Sequence, residues 1–141
     1  MKPLYKRIKI DNGLAAQDLA AGNKTGTYFN MAMYRKSLAI LNVGALTAGT
    51  NAKIELLQAT DSAGTNEKSI NGATATITAT NAMTSGKAIV EVDTSSLDIN
   101  NGFTFIAAKV TTTATTQVAV ILVRGDSRFE PDDDSDAFAI V

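Results

Sequence analysis

The chain has 141 residues, with 13 Lys and Arg against 14 Asp and Glu, and it contains no His, Cys or Trp. This length suits one domain with a core that needs neither disulfides nor a metal. The missing residues exclude imidazole acid–base chemistry, thiolate nucleophiles and zinc sites of the Cys/His kind. We therefore expect no enzyme, no cofactor and no metal site. A net charge near zero argues against nucleic-acid binding, and no apolar run approaches the ~20 residues of a membrane span.

Residues 1–26 are predicted to form an N-terminal arm. Basic and apolar residues alternate over residues 5–10, as in a short edge strand or an arm that lies on another surface. The stretch 14–21 could form one or two helical turns. Because it offers only Leu14 and Leu19 for burial, we predict a loop there.

Residues 27–125 are predicted to form strands separated by turns. The run 37–43 has the apolar content and length of a buried strand. Between residues 72 and 80, Ala or Ile alternates with Thr, which is typical of a half-buried strand. Residues 103–110 and 117–124 flank a polar tip and predict a hairpin. About seven or eight short strands without a crossover helix indicate an all-β fold, an antiparallel β-sandwich of jelly-roll type.

Residues 126–141 are predicted to form an acidic C-terminal arm. Four aspartates lie between residues 132 and 136, and the chain ends in an apolar pentapeptide. Acidic runs are usually solvated, but an apolar end favours docking as a strand on this domain or on a neighbour. The aspartates could bind a hard cation such as calcium, yet they lack the spacing and the glycine of calcium loops. We expect them to be solvated or to face a partner.

Residues 1–10 and 128–141, within the two arms, are the predicted partner-binding parts, and the opposite charges of the two ends favour association between copies of the chain. The residues predicted to bind partners are Tyr5, Lys6, Arg7, Ile8, Lys9, Ile10, Arg128, Phe129, Phe138, Ile140 and Val141.

Three segments of the β region resemble a family of small virion structural proteins of tailed bacteriophages. They are YRKSLAILNVGA at 34–45, LLQATDSAGT at 56–65, and VEVD at 90–93 followed by LDINNGF at 97–103. The resemblance spans most of the β region and leaves out the acidic arm. It implies a capsid decoration, or cement, protein, made in the host cytoplasm, that lies on the capsid exterior of the virion. Its implied partners are the major capsid protein and further copies of itself, as a dimer or trimer.

Two other functions stay open. One is another position in the virion, such as a tail, neck or fibre-base component. The other is a small carbohydrate-active or carbohydrate-binding β-sandwich. Sugar sites usually present Trp or Tyr platforms, and this chain has only Tyr5, Tyr28 and Tyr34, so carbohydrate binding is the less favoured of the two.

Overall fold

The computed structural model describes residues 3–128, which consist mainly of β-strands. The strands are β1 (Lys9–Leu19), β2 (Gly22–Thr25), β3 (Phe29–Asn30), β4 (Tyr34–Val43), β5 (Asn51–Ala59), β6 (Lys68–Thr78), β7 (Gly86–Asp93), β8 (Phe105–Thr112) and β9 (Thr116–Ser127). Short 3₁₀ turns occupy Leu4–Lys6, Thr94–Ser96 and Ile99–Asn101. Within the described residues no helix is long and apolar enough to cross a membrane.

The strands form two antiparallel sheets that pack face to face. The four-stranded sheet has the order β1-β9-β4-β7, and the five-stranded sheet has the order β2-β8-β5-β6, with β3 also paired to β8. The first strand pairs with the last, β2 with β8, β4 with β7 and β5 with β6. A long antiparallel hairpin rolled up in this way is a jelly roll. The predicted all-β antiparallel sandwich of jelly-roll type is thus confirmed.

The core lies between the sheets and takes mainly alternate residues of the longer strands, as side chains alternate across a pleated strand. Ala73 and Ala79 are buried, whereas the intervening Thr74, Thr76 and Thr78 are exposed, as the sequence predicts. The central strands supply most of the other side chains of the core cluster: Ala39, Leu41 and Val43 from β4, Ala52, Ile54 and Leu56 from β5, Ile106, Ala108 and Val110 from β8, and Val118, Val120 and Leu122 from β9.

The N-terminal segment joins the sheets more fully than its sequence predicts. The loop predicted for 14–21 is largely the second half of β1, which pairs with β9 across two register shifts. Those shifts break the alternation of inward and outward residues, so the segment shows no strand periodicity. Residues 9–19 and 22–25 lie in strands of the two sheets, whereas residues 1–26 were predicted to form an arm.

The hairpin predicted from 103–110 and 117–124 is wrong, because β8 and β9 lie in different sheets. The tip between them crosses from one sheet to the other, and the Thr116 hydroxyl donates to the Ala45 carbonyl at 2.8 Å. Two successive strands with a polar connection can form a hairpin within one sheet or cross from one sheet to the other. Which of the two occurs depends on strands far away in sequence, since β8 pairs with β5 and β9 pairs with β4.

Glycine at position 26 lets the edge of the five-stranded sheet lie against β1. The Gly26 amide donates to the Ala108 carbonyl at 2.8 Å, which continues the edge between β2 and β3. A Cβ atom at Gly26 would lie 1.7 Å from the carbonyl oxygen of Gly13. Any side chain here would collide with the backbone of β1, which cannot move aside as a flexible side chain could.

A buried ion pair holds one end of the sandwich together. The Arg124 guanidinium bonds to the Asp11 carboxylate, with its Nη2 at 2.7 Å and its Nε at 3.1 Å from Oδ2. Its Nη1 donates to the Asn30 carbonyl at 2.7 Å. The guanidinium also lies 5.2 Å from the ring centre of Phe29 and 4.9 Å from that of Tyr34. This cluster joins β1, β3, β4 and β9.

Candidate functional site

The outward face of the four-stranded sheet carries a row of isoleucines. Ala39 is fully buried, so its neighbour Ile40 points away from the core. Residues directly opposite each other in an antiparallel pair share a face. The register places Ile40 opposite Ile89 of β7 and opposite Ile121 of β9. Ile89 is 50% exposed and Ile121 is 38% exposed, so the row is open to solvent.

The neighbouring positions extend this apolar surface toward β1. Leu38 lies opposite Val123, and Val123 lies opposite Ile10. A Cβ atom at Gly125 would lie 3.5 Å from Cγ2 of Ile8, which places Ile8 on the same outward face. We call this surface the aliphatic face; it consists of Ile8, Ile10, Leu38, Ile40, Ile89, Ile121 and Val123.

The outward face of the five-stranded sheet is polar by comparison. Lys53 lies opposite Thr76 on one side and Thr111 on the other, and Glu55 lies opposite Thr74 and Lys109. Polar side chains are normal on the outward face of an antiparallel sheet, because that face is exposed to water while the inward face packs on the core. Contiguous apolar patches on a surface mark sites of association. Of the two outward faces, the aliphatic face is therefore the candidate binding surface.

Open depressions flank the isoleucine row on two sides, one in each direction along the strands. One has a volume of about 260 Å³ and is lined by Leu38, Val123 and Gly125, among others. The other has a volume of about 600 Å³ and is lined by residues that include Asn42 and Gln117. The surface thus has an apolar row with a depression on each side, which a partner's side chains or loops can fill.

Charged residues border the aliphatic face along β7 and β4. Lys87 and Glu91 are exposed on the outward side of β7, flanking Ile89. Lys36 lies opposite Asp93 in the next row. The pKa of Asp93 is lowered by a hydrogen bond from the Ser95 amide, which favours the charged form of this carboxylate. An apolar centre with a charged rim is the usual composition of a protein–protein interface.

The structure brings two of the predicted partner-binding residues, Ile8 and Ile10, into the aliphatic face. The others among the described residues lie outside it: Tyr5 and Lys6 are half-buried in the Leu4–Lys6 turn, Arg7 is exposed, and Lys9 starts β1 opposite Arg124. Arg128 is exposed, and its amide donates to the Met33 carbonyl at 2.9 Å.

The remaining predicted partner-binding residues, Phe129, Phe138, Ile140 and Val141, lie outside the described residues, as do the aspartates of the acidic arm. Between residues 3 and 128, no group of three or more His, Cys, Asp or Glu side chains is placed to hold a metal ion.

Tyr28 and Tyr34 are engaged within the fold. The Tyr28 hydroxyl donates to the Glu67 carboxylate at 2.5 Å, and burial together with this carboxylate raises the pKa of Tyr28. A Cβ atom at Gly64 would lie 2.7 Å from the Tyr28 ring, so the 60–67 loop packs closely on it. The Tyr34 ring faces the Arg124 guanidinium. These contacts make both rings part of the fold's own packing, which disfavours their use as sugar platforms.

The aliphatic face was not predicted from the sequence. Residues 37–43 were predicted to form a buried strand, but only alternate residues of that strand face the core. When both faces of a strand are aliphatic, sequence alone does not tell the inner face from the outer one. Glu91 and Lys87 beside Ile89 are the signal that could have identified the outer face.

No family of known proteins matches this sequence, and no curated protein matches it. Among solved structures, the chain is similar to the SPBc2 prophage-derived protein YomS, with 16% identity over 82% of this chain and 92% of that one and a TM-score of 0.42. It is also similar to a chain of the T13 infectious bursal disease virus particle, with 13% identity over 84% and 30% and a TM-score of 0.46. A chain of empty cowpea mosaic virus particles gives 10% identity over 89% and 88% and a TM-score of 0.45. Similarities of this size describe a loose likeness of shape, and the fold assignment rests on the strand order itself.

Proposed function

We propose that this protein is a non-enzymatic structural component of a bacteriophage virion, a capsid decoration protein that binds the outer surface of the major capsid protein shell. The observation that carries the proposal is the aliphatic face. An aliphatic sheet surface with a charged rim fits a partner protein, and the jelly roll behind it is a rigid platform. The resemblance of the segments 34–45, 56–65, 90–93 and 97–103 to virion proteins of tailed phages supplies the kind of partner.

We expect this surface to bind with modest affinity per copy, which is sufficient for a contact that is repeated many times over a shell. Fully burying an isoleucine side chain is worth about 1.5–3 kcal/mol. Because Ile89 and Ile121 are roughly half exposed, each can contribute about 1 kcal/mol when a partner covers it. One copy therefore binds modestly. A decoration protein that contacts several capsid subunits, in many copies, stabilises the shell through the sum of such contacts.

The proposal is tested by mixing the purified protein with shells of the same phage that lack it, followed by co-sedimentation. The variants Ile121→Asp and Ile89→Asp place a charge in the aliphatic face. They should lower bound protein at least tenfold, since a buried carboxylate costs more than the lost apolar contact. Thr76→Asp, on the polar face, is the matched control and should bind like the wild type.

Equal binding by all three variants would contradict the proposed surface. Absence of wild-type binding to shells, together with binding to purified tails or necks, would instead favour a tail, neck or fibre-base component. Heating the mixed shells adds a second measurement, because a cement protein raises the temperature at which they open.

A further inference from the structure

Among the four sheet edges formed by residues 3–128, the β7 edge is the one without a register shift or an interruption. The β1 edge contains two register shifts, the edge formed by β2 and β3 is interrupted, and β6 shifts register opposite Glu55 and Leu57. Strand β7 pairs with β4 along its whole length, from Gly86 to Asp93, without a shift, and it contains no proline. Bulges and interruptions protect an edge from pairing with another chain. The edge at β7 lacks these devices.

The outward side chains of β7 are complementary to those of a second, antiparallel copy of the same strand. In order along the strand they are Lys87, Ile89 and Glu91, so a charge of one sign lies on each side of the central isoleucine. A two-fold axis at Ile89, perpendicular to the sheet, places Lys87 of each copy opposite Glu91 of the other. It also places Ile89 opposite its own counterpart and, on the inner side, Ala88 opposite Val90. Opposite charges and apolar side chains at facing positions both stabilise a strand pair.

Other registers fit less well. Side chains on one face must stay on that face, so the axis can shift only by a whole residue. An axis at Val90 would place Ile89 opposite Glu91, and an axis at Ala88 would place Ile89 opposite Lys87. Of the three registers, the one centred on Ile89 places lysine opposite glutamate and isoleucine opposite isoleucine.

We propose that a second copy of this chain pairs with β7, antiparallel and with the two-fold axis at Ile89, so that the two four-stranded sheets form one continuous sheet. This interface is isologous, as a closed dimer requires. It extends the proposed function by naming a second partner, but it does not depend on that function, because the dimer should form in solution without any shell.

The dimer has a consequence for the aliphatic face. A two-fold axis perpendicular to the sheet points the outward faces of both copies to the same side. The isoleucine row of one copy then continues into that of the other across the paired β7 strands. The dimer would present two aliphatic faces to one surface, and binding of the first would raise the effective concentration of the second.

Charge reversal tests the register directly. Lys87→Glu and Glu91→Lys each place like charges opposite each other at two positions of the dimer, whereas the double variant restores both attractive pairs. Sedimentation equilibrium at low ionic strength, where surface charges are least screened, should show each single variant dimerising roughly tenfold more weakly than the wild type. The double variant should return to the wild-type constant. Lys24→Glu, an exposed reversal on β2, is the control and should leave dimerisation unchanged.

Several results would overturn the proposal. They are a wild-type protein that stays monomeric into the millimolar range, a dimer insensitive to both reversals, and a double variant as weak as the single ones. A dimer that is lost on deletion of residues 129–141 but indifferent to charge reversal would assign the interface to the C-terminal segment instead. If one single variant fails to fold, the other tests the same pair. A monomer that still binds shells would leave the proposed function standing, so the two failures are distinguishable.

Discussion

Removing the guanidinium of Arg124 should destabilise the protein more than removing the whole ion pair. Arg124→Met keeps an unbranched apolar side chain in place but leaves the Asp11 carboxylate, which is 3% exposed, without a cation. The Asn30 carbonyl loses its donor as well. Losing one partner of a buried pair costs about 3–5 kcal/mol, because the remaining charge is neither solvated nor paired. For a domain of this size that corresponds to a Tm lower by about 10–20 °C.

The double variant Asp11→Leu/Arg124→Met separates the cost of an unpaired charge from the worth of the pair. It leaves no buried charge, so its free energy of unfolding should exceed that of the single Arg124→Met variant by roughly 2 kcal/mol. Urea unfolding followed by circular dichroism measures both differences. Arg7→Met, at an exposed position shortly before Asp11 in the chain, is the control and should change stability by less than about 0.5 kcal/mol.

The account of Arg124 would be contradicted by a single variant that loses less than about 1 kcal/mol, since buried pairs that hold a fold cost more when broken. It would also be contradicted if the double variant were as unstable as the sum of the two single substitutions. Additivity would mean that Asp11 and Arg124 act independently, against their 2.7 Å contact.

Two further predictions concern packing and acid stability. Gly26→Ala should cost roughly 2–4 kcal/mol, because its methyl group meets backbone, whereas Gly125→Ala adds a methyl at an ordinary contact distance and should cost little; thermal melts compare the two. The pKa of Glu55 is lowered by the hydrogen bond from the Ser69 hydroxyl. Its contribution to stability is therefore full above the unfolded pKa of about 4.3 and is lost as the pH falls through the lower folded value. The urea midpoint should fall below about pH 4, and Glu55→Gln should reduce this dependence; an unchanged pH profile would refute the assignment.

Local sequence patterns predicted the strands in which apolar and polar residues alternate regularly. The Ala/Thr alternation at 72–80 marks β6 because the pleat itself has a period of two. Strand β1 was missed over 14–19, since its two register shifts break that period. The partner of β8 was also mispredicted, because strand pairing in a jelly roll is decided by segments far apart in the chain.

The candidate surface was predicted only at one edge, from Ile8 and Ile10. Its centre, Ile40 with Ile89 and Ile121, comes from three strands separated by 30 or more residues in sequence and is aligned only by the register of the sheet. An outward isoleucine has no local signature that separates it from an inward one. Composition can indicate a β-sandwich, but which of its two sheets carries an apolar outer face depends on the tertiary fold.

Electron cryo-microscopy of decorated shells tests the central claim most directly, because it shows which surface of the jelly roll meets the capsid. We predict that the strands β4, β7 and β9 lie against the shell, with the Ile40, Ile89 and Ile121 side chains covered by capsid residues. The polar face at Lys53 and Thr76 should point to solvent. A map in which the polar face lies on the shell, or in which the isoleucine row remains exposed, would contradict the account.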